Sequence, residues 1–111
     1  MGRYWAARRA NTFVPPAPSP CPVMSAGHTN FYGLPSTAST SWAASFSPGV
    51  GWRLRVFRNG VEVSSQVVLD PALRALETAY VFSSAGDYVV TIAALYDGGE
   101  CGQYTVGTIT Y

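Results

Sequence analysis

An asparagine–glycine pair near the middle of the chain limits its fold more than any other feature. Asn59-Gly60 separates two runs in which apolar and polar residues alternate, 52–58 and 61–63. A type I′ hairpin turn requires positive φ at both central residues, and Asn-Gly accepts this readily. The pattern predicts an antiparallel hairpin in which Arg58 pairs with Val61, and it excludes a helix at this point.

The register of this hairpin predicts one apolar and one polar face. A two-residue loop pairs Phe57 with Glu62 and Val56 with Val63. The residues expected on the buried face are Trp52, Leu54, Val56, Val61 and Val63. Those expected on the other face are Arg53, Arg55, Phe57, Glu62 and Ser64. An antiparallel pair with one solvated face has this pattern.

Period-two patterns predict further strands on both sides of the hairpin. They cover residues 39–46, 78–82, 88–96 and 103–111, with a short edge strand at 67–69. Residues 72–76 are predicted to form one helical turn capped by Asp70, and residues 25–30, around His28, are predicted to form a turn. Because no long helical period occurs, residues 23–111 are predicted to form an all-β, Ig-like antiparallel sandwich of about seven strands.

The first 22 residues differ in composition and are predicted to form an extended arm. Prolines at 15, 16, 18, 20 and 22 enforce a polyproline conformation. One interpretation is a semi-rigid linker. The other is a docking arm that inserts aromatic and basic side chains into a neighbouring protein. Those side chains are Arg3, Tyr4, Trp5, Arg8, Arg9 and Phe13.

The strand predicted at 88–96 is apolar on both faces. Val89 and Leu95 share the face opposite to Val90 and Ile92. A domain this small buries one side of a sheet, so we expect a partner or the arm to cover the other. Ordinary exposure of these side chains is the alternative. Together with Phe57, Val89 and Leu95 complete the predicted partner-binding set.

The ionisable residues and cysteines do not predict catalysis. Six acidic residues are scattered over predicted turns and strand edges, and His28 is the one histidine. We therefore predict no catalytic residue, cofactor or metal site. Cys21 and Cys101 can form a disulfide if the sandwich brings the arm beside the last hairpin, whereas a cytosolic assembly route would keep both reduced.

Low charge restricts the possible partners. The formal net charge is +1, and only 12% of residues are charged. This argues against binding to nucleic acid or to an anionic membrane surface and favours a surface covered by protein neighbours. No segment approaches the ~20 apolar residues of a membrane span. The first nine residues also lack the uninterrupted apolar core of a secretory signal.

Residues 80–92, Tyr-Val-Phe-Ser-Ser-Ala-Gly-Asp-Tyr-Val-Val-Thr-Ile, resemble the closing half of PKD repeats and related Ig-like folds. Those domains continue to an acidic residue and a glycine, here Asp97-Gly98. The step from Gly86 to Tyr88 is similar to the tyrosine corner of Ig-like domains, in which the phenol hydroxyl bonds to upstream backbone. The strand that carries Trp52 resembles the central tryptophan strand of fibronectin type III domains.

The resemblance implies a binding or assembly role rather than an enzymatic one. Such domains are frequent on phage particles. We therefore expect a virion protein, such as a capsid decoration or other accessory protein, assembled in the host cytoplasm. Its expected partner is the major capsid protein or another shell protein, bound through the arm and the sheet surface, and self-association is a further option.

The alternative is a carbohydrate- or cell-surface-binding module that works outside the cell. Trp5, Trp42, Trp52 and several tyrosines would then supply a platform on which a glycan stacks. Trp52 is already expected inside the sandwich, and an exposed coplanar aromatic pair would favour this alternative.

Overall fold

The structure, a computed structural model, describes residues 21–111, so the predicted arm lies outside it apart from its last two residues. The described part contains eight β-strands and no helix. The strands are β1 Met24–Phe31, β2 Ala38–Ala44, β3 Gly51–Arg58, β4 Val61–Val68, β5 Ala75–Glu77, β6 Asp87–Tyr96, β7 Gly99–Glu100 and β8 Tyr104–Thr110. Within this part of the chain, no helix is long and apolar enough to cross a membrane.

Two antiparallel sheets form the predicted β-sandwich, which the structure confirms. One sheet has three strands in the order β1-β2-β5. The other has five: β4, β3 and β6 are neighbours, and β7 and β8 follow one another along the far side of β6.

The core lies between the sheets, and alternate residues of β3 and β6 fill most of it. Trp52, Leu54, Val90 and Ile92 are each at most 1% exposed. Burial of each such aliphatic side chain stabilises the fold by about 1.5–3 kcal/mol. Trp42 enters from the three-stranded sheet, and its ring meets that of Trp52 edge-on with centroids 5.4 Å apart. Both tryptophans are therefore structural.

The turn of the predicted hairpin is confirmed. Asn59 and Gly60 have φ values of 51° and 81°, as a type I′ turn requires. Arg58 pairs with Val61 across the turn, in the predicted register.

Phe57 also pairs with Glu62 as predicted, but beyond this pair the predicted register is wrong. A bulge follows Phe57, so Val56 pairs with Ser64 rather than with Val63. The extra residue shifts the alternation of β4 by one position. The predicted burial of Val61 and Val63 is also wrong, since their side chains are 65% and 40% exposed. Ser64, expected on the polar face, lies beside the buried Val56 instead.

The predicted helical turn at 72–76 is also wrong. Asp70 does cap a turn, because its carboxylate accepts a 3.1 Å hydrogen bond from the Ala72 N–H. The chain then extends into β5, and its three residues pair with β2. A five-residue segment has little helical stability of its own, so pairing with β2 determines its conformation.

Three shorter segments differ from their predicted structures. Residues 25–30, predicted as a turn, belong to β1, and His28 is exposed there. Residues 78–82, predicted as a strand, are irregular apart from one bridge between Ser36 and Phe82. Thr78 explains this, because its hydroxyl accepts a hydrogen bond from the Ala38 N–H and donates one to the carbonyl of Tyr80. The predicted edge strand at 67–69 is not a separate strand: Val67 and Val68 end β4, and Leu69 lies beyond it.

The tyrosine hydrogen bond that the resemblance implies is present. Tyr88 is 1% exposed, and its hydroxyl donates a 2.7 Å hydrogen bond to the carbonyl of Ser84. Its ring packs edge-on against Phe82 with centroids 4.9 Å apart. The hydrogen bond fixes the irregular chain before β6 onto the core.

A disulfide joins Cys21 to Cys101, with Cα atoms 5.8 Å apart. Cys21 precedes β1 of the three-stranded sheet, whereas Cys101 lies between β7 and β8 of the five-stranded sheet. The Cys101 N–H also donates to the carbonyl of Ala94 on β6. The bond therefore ties the two sheets together and closes a loop with a sequence separation of 80.

We expect loss of this bond to lower the free energy of unfolding by about 4 kcal/mol, because the loop it closes in the unfolded chain is long. The measurement is guanidinium unfolding of a Cys21→Ser/Cys101→Ser variant beside the oxidised and the reduced wild type. Reduced wild type and variant should agree. An unfolding midpoint that is the same in the oxidised wild type, the reduced wild type and the variant would contradict the prediction.

The two sheets meet at one edge of the sandwich, where β1 packs closely against β8. We call this contact the seam. The Thr29 hydroxyl donates a 3.1 Å hydrogen bond to the carbonyl of Val106 and lies 2.9 Å from the Thr40 hydroxyl. Two glycines permit this approach. A Cβ atom at Gly27 would overlap the Val106 side chain, and one at Gly107 would overlap the Thr29 side chain.

We predict that Gly107→Ala destabilises the fold by about 1–3 kcal/mol, because the added methyl overpacks the seam. Gly102→Ala is the matched control, since a Cβ atom there meets nothing within 4 Å. Urea unfolding of the two variants gives both free energies. Equal stabilities would show that the seam relaxes without cost.

Candidate interaction surface

The face of the five-stranded sheet that points away from the core is the candidate site, and we call it the outer sheet face. The β3–β6 register places Arg53 beside Ala93, Arg55 beside Thr91 and Phe57 beside Val89. These residues alternate with the buried core positions of the same strands. The outer sheet face is therefore set by the pairing that forms the core.

Four charged side chains pair with one another across this face. Arg55 donates two hydrogen bonds to the Glu100 carboxylate, at 2.7 and 3.1 Å. Arg53 approaches the same carboxylate at 3.3 Å, and Arg55 Nε lies 3.3 Å from Glu62. We call Arg53, Arg55, Glu62 and Glu100 the ion-pair cluster. The bidentate arginine–carboxylate contact is its strongest part.

The cluster shifts the acid–base equilibria of its two central members. The hydrogen bond from Arg55 lowers the pKa of the Glu100 carboxyl below its ordinary value, although partial burial opposes this. The same hydrogen bond raises the pKa of Arg55. Both groups therefore remain charged over a wider pH range than the free side chains would.

The ion-pair cluster also covers the middle of β6. Arg55 pairs alongside Thr91, and Glu100 pairs with Leu95, so the contact between them crosses the strand over Ala93. Thr91 and Ala93 are only 6% and 1% exposed. We expected a partner or the arm to cover this side of the strand. At its centre, the protein's own ion pairs already do so.

The structure brings together two of the three predicted contact residues of the sheet. Phe57 and Val89 are half-buried neighbours at one end of the outer sheet face. Leu95 is also half-buried but lies six positions further along β6, beyond the ion-pair cluster. The predicted contact residues of the arm, which are Arg3, Tyr4, Trp5, Arg8, Arg9 and Phe13, lie outside the described residues.

The sequence-based interpretation missed two features of the surface. The first is the ion-pair cluster, because the approach of Glu100 to Arg55 depends on pairing between strands distant in sequence. The second is β4, an edge strand with exposed Val61, Val63 and Val67. The alternating run 61–63 gave no local signal of the bulge that turns Val63 outward.

Of the aromatic residues considered above as a sugar platform, Trp42 and Trp52 are buried at 5% and 0% exposure and cannot stack on a glycan, whereas Tyr32 is 59% exposed. No group of three or more metal-ligating residues occurs within 21–111. The carboxylate of Glu100, which lies near Asp97 in the same hairpin, already pairs with Arg53 and Arg55.

No model of a known protein family matches the chain, and a search of curated proteins found no significantly similar sequence. The resemblance to PKD repeats and fibronectin type III domains therefore stays a prediction.

We predict that Glu100→Gln lowers the free energy of unfolding by about 1–2 kcal/mol at pH 7, because charge-assisted hydrogen bonds to two arginines are lost. The folded pKa of Glu100 is depressed, so its stabilisation is present above the ordinary value of 4.5 and is lost as the pH falls through the folded pKa. The difference between wild type and variant should therefore shrink in acid. Urea unfolding at about pH 7 and at steps down to about pH 3, which roughly spans the carboxyl titration, measures this difference.

Asp97→Asn is the control, because Asp97 is an exposed carboxylate close in sequence to Glu100 but outside the ion-pair cluster. A constant difference between wild type and Glu100→Gln across this pH range would contradict the assignment.

Proposed function

We propose that this protein is a non-enzymatic structural module that docks onto a protein partner through its outer sheet face and its N-terminal arm. The observation that carries the proposal is the mutual pairing of the four charges on that face. A partner that covers the face buries charges that are already paired, which avoids the cost of desolvating a lone ion. The apolar neighbours Phe57 and Val89 then provide contact area.

The concrete form of this proposal is a capsid decoration or other virion accessory protein bound to a major shell protein. The disulfide is compatible with an exterior position, because such bonds persist on virion and cell surfaces. It would form only after the particle leaves the host cytoplasm, and it fits a cell-surface module equally well. It also fixes the root of the arm, because Cys21 is bonded to the sandwich. Docking of residues 1–20 would therefore hold the sandwich itself in place.

The experiment that tests the proposal is gradient sedimentation of the native source, followed by mass spectrometry of the fractions. Peptides of this chain should peak with large particles at a fixed ratio to a major shell protein. Peptides confined to soluble or cell-wall fractions would overturn the virion role and favour a surface-binding module.

We predict that Phe57→Thr reduces incorporation into such particles by at least about tenfold, because the contact loses its aromatic anchor. Threonine preserves the strand preference of the position. Phe46→Thr is the matched control: Phe46 is 46% exposed and lies outside the outer sheet face. Incorporation is measured by reconstitution of particles that lack the protein, with thermal unfolding to confirm that both variants fold.

Deletion of residues 1–20 tests the arm separately. The deletion stops before Cys21, so the disulfide and the sandwich are preserved. The truncated protein should remain folded but should fail to incorporate. Undiminished incorporation would show that the arm is a linker.

A further inference from the structure

A two-sheet sandwich has open strand edges, and in this protein most of them are covered. β1 and β8 lie against each other along the seam that Thr29 closes. The edge at β5 is covered by the Gln66 amide, which donates to the carbonyl of Glu77 at 3.3 Å and accepts from the Ala79 N–H at 2.8 Å. Among the described residues, no strand pairs with the outer side of β4.

The outer side of β4 lacks most features that protect a free edge. Soluble proteins blunt such edges with lysine, proline, inward charges or a bulge. β4 contains neither lysine nor proline, and its one charged residue, Glu62, is held by Arg55. Val67 and the following Leu69 are 48% and 73% exposed. Alternate residues of an edge strand also direct N–H and C=O groups outward, ready to pair with another strand.

The bulge limits the part of β4 that can accept a new strand. It lies opposite the Val56–Phe57 step and twists the turn end of the hairpin away. The regular part beyond it is 64–68, and together with the following Leu69 it reads Ser-Ser-Gln-Val-Val-Leu, which contains no charged residue. We call this segment the β4 edge.

We infer that the β4 edge is a self-association site, at which a second copy of this chain adds its own β4 in antiparallel orientation. A two-fold contact brings identical surfaces together, so like charges would repel. The β4 edge meets this condition because it contains no charged residue. Residues 1–20 are a poorer fit, since Arg3, Arg8 and Arg9 would find no acidic partner within 64–69. Pairing of two copies would join two five-stranded sheets into one continuous sheet.

The contact area indicates how strong the association is. One strand edge from each copy buries less than the roughly 1,600 Å² typical of a stable interface. The isolated protein should therefore dimerise weakly and reversibly. Copies held close together on an assembly would associate more fully, because their effective concentration is higher. The inference does not depend on the proposed docking to a shell protein, because self-association is measured on the isolated protein, with no shell protein present.

The test is sedimentation equilibrium of the full chain over a concentration series. Wild type should show a monomer–dimer equilibrium, and Val67→Lys should weaken it by at least about tenfold, because each copy then adds a positive charge at the contact. Val81→Lys is the matched control, since Val81 is 49% exposed against 48% for Val67 and belongs to no strand. Thermal unfolding checks that both variants remain folded.

A cysteine cross-link gives a second, independent measurement. Both native cysteines are in the disulfide, so Ser65→Cys introduces one free thiol at the β4 edge. Mild oxidation should yield a covalent dimer faster than for Ser83→Cys, an exposed control in a distant loop. A chain that stays monomeric at the highest concentration overturns the inference. A dimer whose dissociation constant is unchanged by Val67→Lys also overturns it. So does a dimer that is lost only when residues 1–20 are deleted.

Discussion

The pairing of β3 with β6 is the interaction on which the rest of the structure depends. Its register places Trp52, Leu54, Val90 and Ile92 in the core, and it places Arg53 and Arg55 beside Ala93 and Thr91 on the opposite face. Because successive side chains of a strand point to opposite faces, a one-residue slip would bury both arginines and expose the tryptophan. Core and outer sheet face are thus fixed by one register, and neither can change alone.

The sequence was sufficient for features that local chemistry determines. The Asn59-Gly60 turn requires positive φ, and the alternation through Trp52 and Leu54 identifies a half-buried strand, so both were predictable. The bulge opposite Val56 was not, because Val61-Glu62-Val63 alternates as a regular strand would. β1 was missed for a related reason: Gly27 looks like a turn residue, yet it is needed for the close approach of Val106.

The candidate site was predictable only in part, because its charged members lie far apart in sequence. Val89 and Leu95 followed from the two apolar faces of one strand, and Phe57 followed from the hairpin register. Glu100 meets Arg55 only through the joint pairing of β3, β6 and β7, which no local pattern encodes. Long-range register therefore decides that the middle of the face is an ion-paired surface flanked by apolar ends.

The disulfide has a mechanical consequence for any partner that pulls on the N-terminal segment. Tension applied at residue 20 enters the domain through Cys21 and passes directly to Cys101, so it bypasses the hydrogen bonds of β1 and β2. The loop between the two cysteines cannot lengthen while the bond is intact. If the opposite anchor is the C-terminal end, only the residues beyond Cys101 can be drawn out, and β8 must shear from β6 first. Reduction would convert this short tether into one that can extend through the whole sandwich.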